Sequence, residues 1–208
     1  MKTARATPLQ AGCTVRPPTR AQLAAALTLW LLGMAVPVST LYASSTAFAA
    51  QLRDADTTLV RLGQGTAHYA RFIPVYDAAL YIDQDAGSED LLDPGTAKRL
   101  DIVYRTAIKA SDMITAAERT LARQHSEDVL ARWREHIDVL HAAYRDVQSG
   151  DRYALVFQPG DGLWLEFNGE PVIRVAPAEF AQLYLGIWLG DPPLSQRLKQ
   201  ALTNHSQD

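Results

Sequence analysis

The sequence predicts an α+β fold, an antiparallel sheet with helices packed on one face. Three observations carry that expectation. The order along the chain is strands, helices, strands, helices, with no strand–helix–strand alternation that would signal a parallel sheet. Tyr153, Leu155 and Phe157 alternate with small or polar residues, as do Leu163, Leu165 and Phe167, a period of two that half-buries a strand. Leu130, Trp133, Ile137, Leu140, Tyr144 and Val147 recur instead at steps of three and four, which lays them on one buried face of a helix.

The first fifty residues stand apart in composition. They hold Lys2, Arg5, Arg16 and Arg20 and no acid, then an apolar run from Leu23 to Val38, then small residues at Ala47 and Ala49. A basic start, an apolar stretch and an A-x-A ending are the pattern of a secretory signal cut before Ala50 or Gln51. The alternative is an uncleaved anchor in the inner membrane. Its apolar run of about 16 residues, broken by Gly33 and Pro37, falls short of the roughly 20 that span a bilayer comfortably. The sequence thus divides into an N-terminal signal or anchor, 1–50, and a domain, 51–208, expected outside the cytoplasm in the periplasm. Membrane contact is expected only through the N-terminal segment, if it stays uncleaved.

In the domain, Thr57 to Leu62 reads as a first strand, with Gly63-Gln64-Gly65 as a turn or bulge. No helix start follows those glycines, so they make no phosphate loop. Ala67 to Asp83 reads as one long strand whose Pro74 forces a bulge or an edge. Tyr76, Ala78 and Leu80 share one face of it, and Asp77 on the other face needs a partner. Asp85 to Lys98 is a polar loop, and Leu100, Ile102 and Tyr104 mark the next strand. Ser111 is expected to cap a helix with Met113, Ala117 and Leu121 as its stripe, and a longer helix is expected from Glu127 to Gln148.

The closing stretch is the most informative. Pro159-Gly160-Asp161-Gly162 turns the chain between two strands, and Asn168-Gly169 predicts a second hairpin into Val172–Val175. Phe180, Leu183, Tyr184, Ile187 and Trp188 then follow helical spacing, Gly190 and Pro192-Pro193 end that helix, and a short one runs from Ser195 to Leu202.

Composition excludes several classes. With a net charge of −3, and −7 after the basic tail is set aside, the chain lacks the positive surface that nucleic acid requires. Its single cysteine, Cys13, rules out an internal disulfide and a cysteine metal site. The apolar run lies after Cys13, so Leu9 to Cys13 is not a lipoprotein cleavage box. The five histidines form no i,i+4 pair and no H-E-x-x-H, so no metal is expected, and no cofactor-binding motif is present. His136 and His141 read as solvated helix residues. There is no G-x-S-x-G elbow, and Asp151, Asp161 and Glu166 fall at turns or exposed strand positions rather than as a catalytic pair.

The run PGDGLWLEFNGE followed by FAQLYLGIWLGDPPLSQRLKQAL, together with RFIPVYDAALYID from Arg71 to Asp83, resembles the bacterial chalcone isomerase-like family over about Leu59 to Leu202. The resemblance implies an open-faced sandwich with a ligand cleft between sheet and helices. The family includes true isomerases and fatty-acid binders. The isomerases hold the reacting phenolate with an arginine, and a threonine, a tyrosine, an asparagine and a Ser/Thr complete a polar network. Laid on that pattern, these positions fall near His68, Tyr76, Ala110, Ala117 and Ala181 in this chain, and none of them matches. Ring closure needs a placed cation and hydrogen-bond donors, so isomerase activity is expected to be absent and no catalytic residue is assigned.

What the resemblance leaves is a cleft. Its expected lining is Tyr76, Met113, Leu121, Phe180 and Tyr184, with His68, Arg71 or Arg105 at a polar mouth. The candidate ligand-binding residues are therefore His68, Arg71, Tyr76, Arg105 and Tyr184, and the candidate ligand is a fatty acid or another small amphipathic molecule. Two alternatives stand beside this one. One is an isomerase or intramolecular lyase working with other side chains. The other is an envelope interaction module using the exposed Pro192-Pro193 segment and a sheet edge.

Overall fold

The computed structural model describes residues 48–54, 57–70, 72–86 and 91–204. The expected signal or anchor therefore lies almost wholly outside the described residues, as do Arg71 and His205. Seven strands form one antiparallel meander in chain order: β1 Gln51–Asp54, β2 Thr57–Tyr69, β3 Ile73–Asp83, β4 Lys98–Tyr104, β5 Arg152–Gln158, β6 Gly162–Phe167 and β7 Glu170–Val175. Four helices accompany it: α1 Ala110–Gln124, α2 Glu127–Ala142, α3 Ala178–Leu189 and α4 Gln196–Thr203. The α+β class is as the sequence predicts.

One face of the sheet and the helices share the main core. Ala78, Leu80, Leu100, Ile102, Tyr153, Leu155, Phe157, Leu163 and Leu165 meet α3, which is buried nearly all round through Phe180, Leu183, Tyr184, Ile187 and Trp188. A helix apolar on every side belongs inside a protein, and α3 is the centre of the helical layer. On the opposite face a smaller cluster joins Phe48, Leu59, Ala79, Tyr81, Ala97 and Val103. There the Tyr81 hydroxyl donates to the Ala49 carbonyl at 3.0 Å and the Arg61 guanidinium to that of Phe48. The Asp77 carboxylate finds its partners on that face too, in Thr66 Oγ1 and Arg105 Nε, each at 2.7 Å.

The closing hairpins follow their turn residues. Asn168 (φ 52°) and Gly169 (φ 88°) both take the left-handed region, and Phe167 pairs directly with Glu170 across the two-residue turn. Ser195 caps α4, its Oγ accepting from the Leu198 amide at 3.3 Å.

Five boundaries differ from the sequence expectation. β1 has no period-two signal of its own and exists because Gln51–Asp54 pairs with β2. The long strand read from Ala67 to Asp83 is two strands: Ala67–Tyr69 end β2, and the chain turns before Ile73. Pro74 therefore sits at the start of β3, where a missing N–H is tolerated, beside a register shift at Ala67/His68. Lys98 opens β4 instead of ending the loop, and is 2% exposed, its ammonium donating to the Leu91 and Asp93 carbonyls.

The helix expected to reach Gln148 stops at Ala142, because Val147 forms an antiparallel bridge with Ile108. Nor does Ser111 cap α1. The helix begins at Ala110, whose amide donates to the Asp146 carboxylate at 2.9 Å. A side chain 36 residues away performs the task usually given to a local cap.

His141 is also buried, contrary to its reading as solvated. Its Nδ1 faces Glu118 Oε1 at 3.3 Å while its Nε2 has no partner, so a second proton there would be left unsolvated. Burial pushes the imidazole below its usual range, Arg134 acts in the same direction, and Glu118 and Asp138 only partly offset it. Tyr144 and Tyr184, whose rings face it, carry no charge to help. Burial lowers His125 as well. Such groups add stability that is fully present above the unfolded histidine value of about 6.5 and is lost as pH falls below it. The urea midpoint should therefore fall between about pH 7.5 and 5.5, above the range where carboxylates protonate. His141→Gln should flatten that fall, with His125 supplying the remainder. A midpoint constant or rising across this interval contradicts the assignment.

Candidate functional site

Between the sheet and α1 lies a cleft of about 1110 Å³. Its floor is the helix-facing side of β3 to β6, where Tyr76, Ile102, Tyr104, Tyr153, Leu155 and Leu165 fall because alternate strand residues share a face. One wall is a face of α1. Lys109, just before the helix, and Asp112, Met113, Ala116 and Arg119 recur at helical spacing and border the cleft, with Lys109, Asp112 and Arg119 exposed at its rim. The other walls are Ile187 and Trp188 from α3 and the segment from Tyr144 to Gln148.

The aromatic residues of the floor are locked to one another. Tyr76 and Tyr104 meet edge to face at 5.8 Å, Tyr104 and Tyr153 at 6.2 Å, and Tyr144 and Tyr153 at 5.2 Å. Their hydroxyls are placed too. Tyr184 OH donates to Tyr144 OH at 3.2 Å, Tyr104 OH to Met113 Sδ at 3.0 Å, and the Arg145 amide to Tyr153 OH at 2.8 Å.

Two of these hydroxyls keep a proton with no protein acceptor among the described residues, that of Tyr144, which accepts from Tyr184, and that of Tyr76. The Tyr76 oxygen accepts the Trp188 indole N–H at 3.0 Å. Burial pushes Tyr76 up to about 12, against the weaker pull of Trp188. It therefore stays protonated at neutral pH and is available as a donor inside the cleft. Tyr104, Tyr144 and Tyr184 are all pushed upward by burial, so none is prepared to act as a phenolate base.

The sequence-derived candidates are distributed as follows. His68 and Tyr76 line the cleft. The His68 ring turns back so that Nδ1 donates to the Thr66 carbonyl at 3.1 Å, which leaves Nε2 as an acceptor unless the ring is doubly protonated. Tyr184 stands behind the lining, touching it through its hydroxyl contact with Tyr144 and its ring contact with Trp188. Arg105 does not line the cleft, since its guanidinium is committed to Asp77 on the other face of the sheet. Arg71 lies outside the described residues. Of the positions compared with the isomerase pattern, Ala117 lines the cleft with His68 and Tyr76, whereas Ala110 and Ala181 do not. Leu121 and Phe180 are core residues, and Met113 is a lining residue.

Sequence reasoning missed the cations that do line the cleft, Lys109 and Arg119. Neither is ion-paired among the described residues. The signal was their helical spacing with Met113 and Ala116. Asp112 and Asp146 also belong to the lining, Asp146 being held by the Ala110 amide. No group of three metal-ligating side chains occurs among the described residues, and no helix there is long and apolar enough to cross a membrane.

Comparison with known proteins agrees with this architecture. A family profile described as chalcone isomerase-like matches residues 43–203. The crystal structure of an Arabidopsis thaliana fatty-acid binding protein superposes with a TM-score of 0.57 at 13% sequence identity, covering 75% of this chain and 90% of that one. At that identity the likeness is one of fold. No curated protein sequence matches the chain significantly. With a seven-stranded meander, a helical cover on one face and a profile match spanning the whole described domain, the chain belongs to the chalcone isomerase-like family.

Proposed function

We propose that this chain is an exported, non-catalytic member of its family that holds a small amphipathic molecule, a fatty acid being the simplest, in the cleft between sheet and α1. The observation that carries this reading is the cleft itself. Its 1110 Å³ lies just above the roughly 300–1,000 Å³ typical of ligand sites. Apolar and aromatic side chains make its floor, the uncommitted hydroxyl donors of Tyr76 and Tyr144 sit within it, and Lys109, Arg119 and His68 stand around it. Such a lining suits a tail with an anionic or carbonyl end. The fatty-acid binding protein that shares the fold supports the same ligand class.

An isomerase reading finds less support. The buried hydroxyls of the cleft all shift the same way, toward staying protonated, whereas acid–base catalysis draws on partners pushed apart. The interaction-module reading loses one of its motives, because Pro193 is buried and the Pro192 and Pro193 carbonyls accept from Gln124 and Arg123. Export rests on the residue pattern of 1–50 alone.

Native mass spectrometry of the purified protein, followed by extraction of anything bound, tests the reading directly. Adding saturated acids from dodecanoic to octadecanoic should also raise the thermal midpoint. At a hundredfold excess over the dissociation constant the gain is about 2.7 kcal/mol, or roughly 5–10 °C for a chain of this size. An apo mass together with an unmoved midpoint for every acid in the series excludes fatty acids.

A further inference from the structure

Four large apolar side chains are exposed among the described residues, and three of them stand together. Tyr69 (71% exposed), Phe72 (85%) and Ile73 (55%) occupy the turn between β2 and β3, and the fourth, Val139, lies on α2. Tyr69 ends β2, Ile73 opens β3, and the Phe72 amide donates to the Tyr69 carbonyl at 3.3 Å, so the three share one tight reversal. A lone exposed apolar residue is ordinary, but a contiguous group on a projecting turn marks a surface that something covers.

The size of the group selects the occupant. Three side chains at a hairpin tip present far less than the roughly 1,200–2,000 Å² that a stable protein pair buries. A phospholipid surface sets no such threshold. Tyrosine rings settle at headgroup depth with the hydroxyl toward water, while phenylalanine and isoleucine enter the acyl boundary. Arg71 falls between Tyr69 and Phe72 in sequence, and arginine is a residue type that suits a headgroup phosphate in charge and hydrogen bonding. Tyr69 and Ile73 also line the cleft, so the exposed turn is continuous with the binding site.

We propose that the β2–β3 turn docks on a phospholipid bilayer, with Phe72 inserted and Tyr69 and Ile73 at the headgroup boundary, and so presents one side of the cleft to the membrane. This adds a contact to the one the sequence suggested, which was confined to the N-terminal segment. The docking goes beyond the ligand-binding reading and requires no ligand.

The full chain can be tested with a polarity-sensitive fluorophore on Phe72→Cys, in a Cys13→Ser background that removes the native thiol. Vesicles of phosphatidylethanolamine and phosphatidylglycerol, free of fatty acid, are then added. The label at 72 should shift to the blue and brighten at least about twofold, as an apolar surrounding requires. The same label on Val139→Cys should not respond. Adding Tyr69→Ser and Ile73→Ser should remove most of the shift at 72, even if the N-terminal segment still holds the protein on the vesicle.

An aqueous spectrum at 72 in vesicle-bound or unbound protein overturns the proposal. So does a blue-shifted spectrum before vesicles are added. If dilution abolishes that shift a second copy covers the turn, and if it persists residues 1–47 of the same chain do. Because the vesicles carry no fatty acid, a negative result here leaves the thermal-shift experiment untouched, and the reverse also holds.

Discussion

Gly63→Ala should lower the thermal midpoint by roughly 6–12 °C, the equivalent of about 3 kcal/mol in a domain of this length. The reason is where α4 lies. A Cβ on Gly63 would stand 2.4 Å from the Ala201 carbonyl oxygen and 2.6 Å from that of Leu202, and one on Gly65 would stand 2.6 Å from Ala201 Cβ. These glycines occupy the strand face on which the helix rests, and carbonyls of a packed helix cannot swing aside as a side-chain tip can. Either the strand absorbs overpacking, at about 1–3 kcal/mol, or α4 lifts away and exposes Leu198 and Leu202, each worth about 1.5–3 kcal/mol of burial. The two ranges meet at about 3 kcal/mol.

Gly150→Ala provides the contrast. Its φ is +95° with nothing within 4 Å of an added Cβ, so it should cost only the backbone strain of about 1–2 kcal/mol. Circular dichroism melts of the two variants suffice. A Gly63→Ala midpoint within about 2 °C of the parent, less than 1 kcal/mol on this scale, would mean that α4 does not dock as described.

Replacing Lys109 and Arg119 together by methionine should weaken fatty-acid binding about tenfold or more, at least 1.4 kcal/mol, and leave the fatty alcohol of the same length bound as before. Hydrogen bonds to charged groups contribute about 1.5–3 kcal/mol each when shielded. Both side chains are exposed, and exposed ion pairs contribute only about 0.2–1 kcal/mol, which holds the estimate to the lower figure. Methionine keeps the apolar stem, so the packing of α1 against the floor is unaffected. Titration calorimetry with the acid and the alcohol separates the possibilities. Equal weakening of both would assign these residues to packing rather than to the headgroup, and no weakening of either would place the carboxylate elsewhere. The comparison presupposes that an acid binds, which the thermal-shift series decides first.

The fold was largely legible where a short-range signal and the tertiary structure agree. Asn168-Gly169 specified its hairpin because few other dipeptides tolerate two positive φ angles in succession. The stripe of α2 and the all-apolar α3 were equally plain, and the V-Y-x-A-A-L-Y core of β3 carried the family resemblance. The misreadings share one cause. Glu127 to Gln148 keeps helical spacing to its end, yet its last residues leave the helix because Ile108 offers Val147 a strand partner. Ser111 is a good cap by type, but Asp146 reaches the end of α1 first. Gly63 and Gly65 were read as a turn or bulge, and a register shift does fall at Arg61/Gly63, but their further task of admitting α4 is visible only once that helix lies across them.

The site divides in the same way. His68 and Tyr76 were named through the family resemblance, which laid its arginine and threonine positions on them, and both line the cleft. Arg105 could not be settled, since only the sheet reveals that Asp77 lies beside it on the far face. Lys109 and Arg119 escaped notice because a charged residue on a helix is solvated by default, and only the placement of α1 beside the floor brings these two exposed side chains to the rim of the cleft.

By itself, then, the sequence determined the class of fold and the greasy character of the interior, which follow from local periodicity and composition, and its motifs in β3 and the closing stretch carried the resemblance to the family. Which cations meet the cleft, which histidine is buried and which apolar turn is left uncovered were decided by tertiary packing. Those are relations between residues far apart in the chain, and no short-range pattern encodes them.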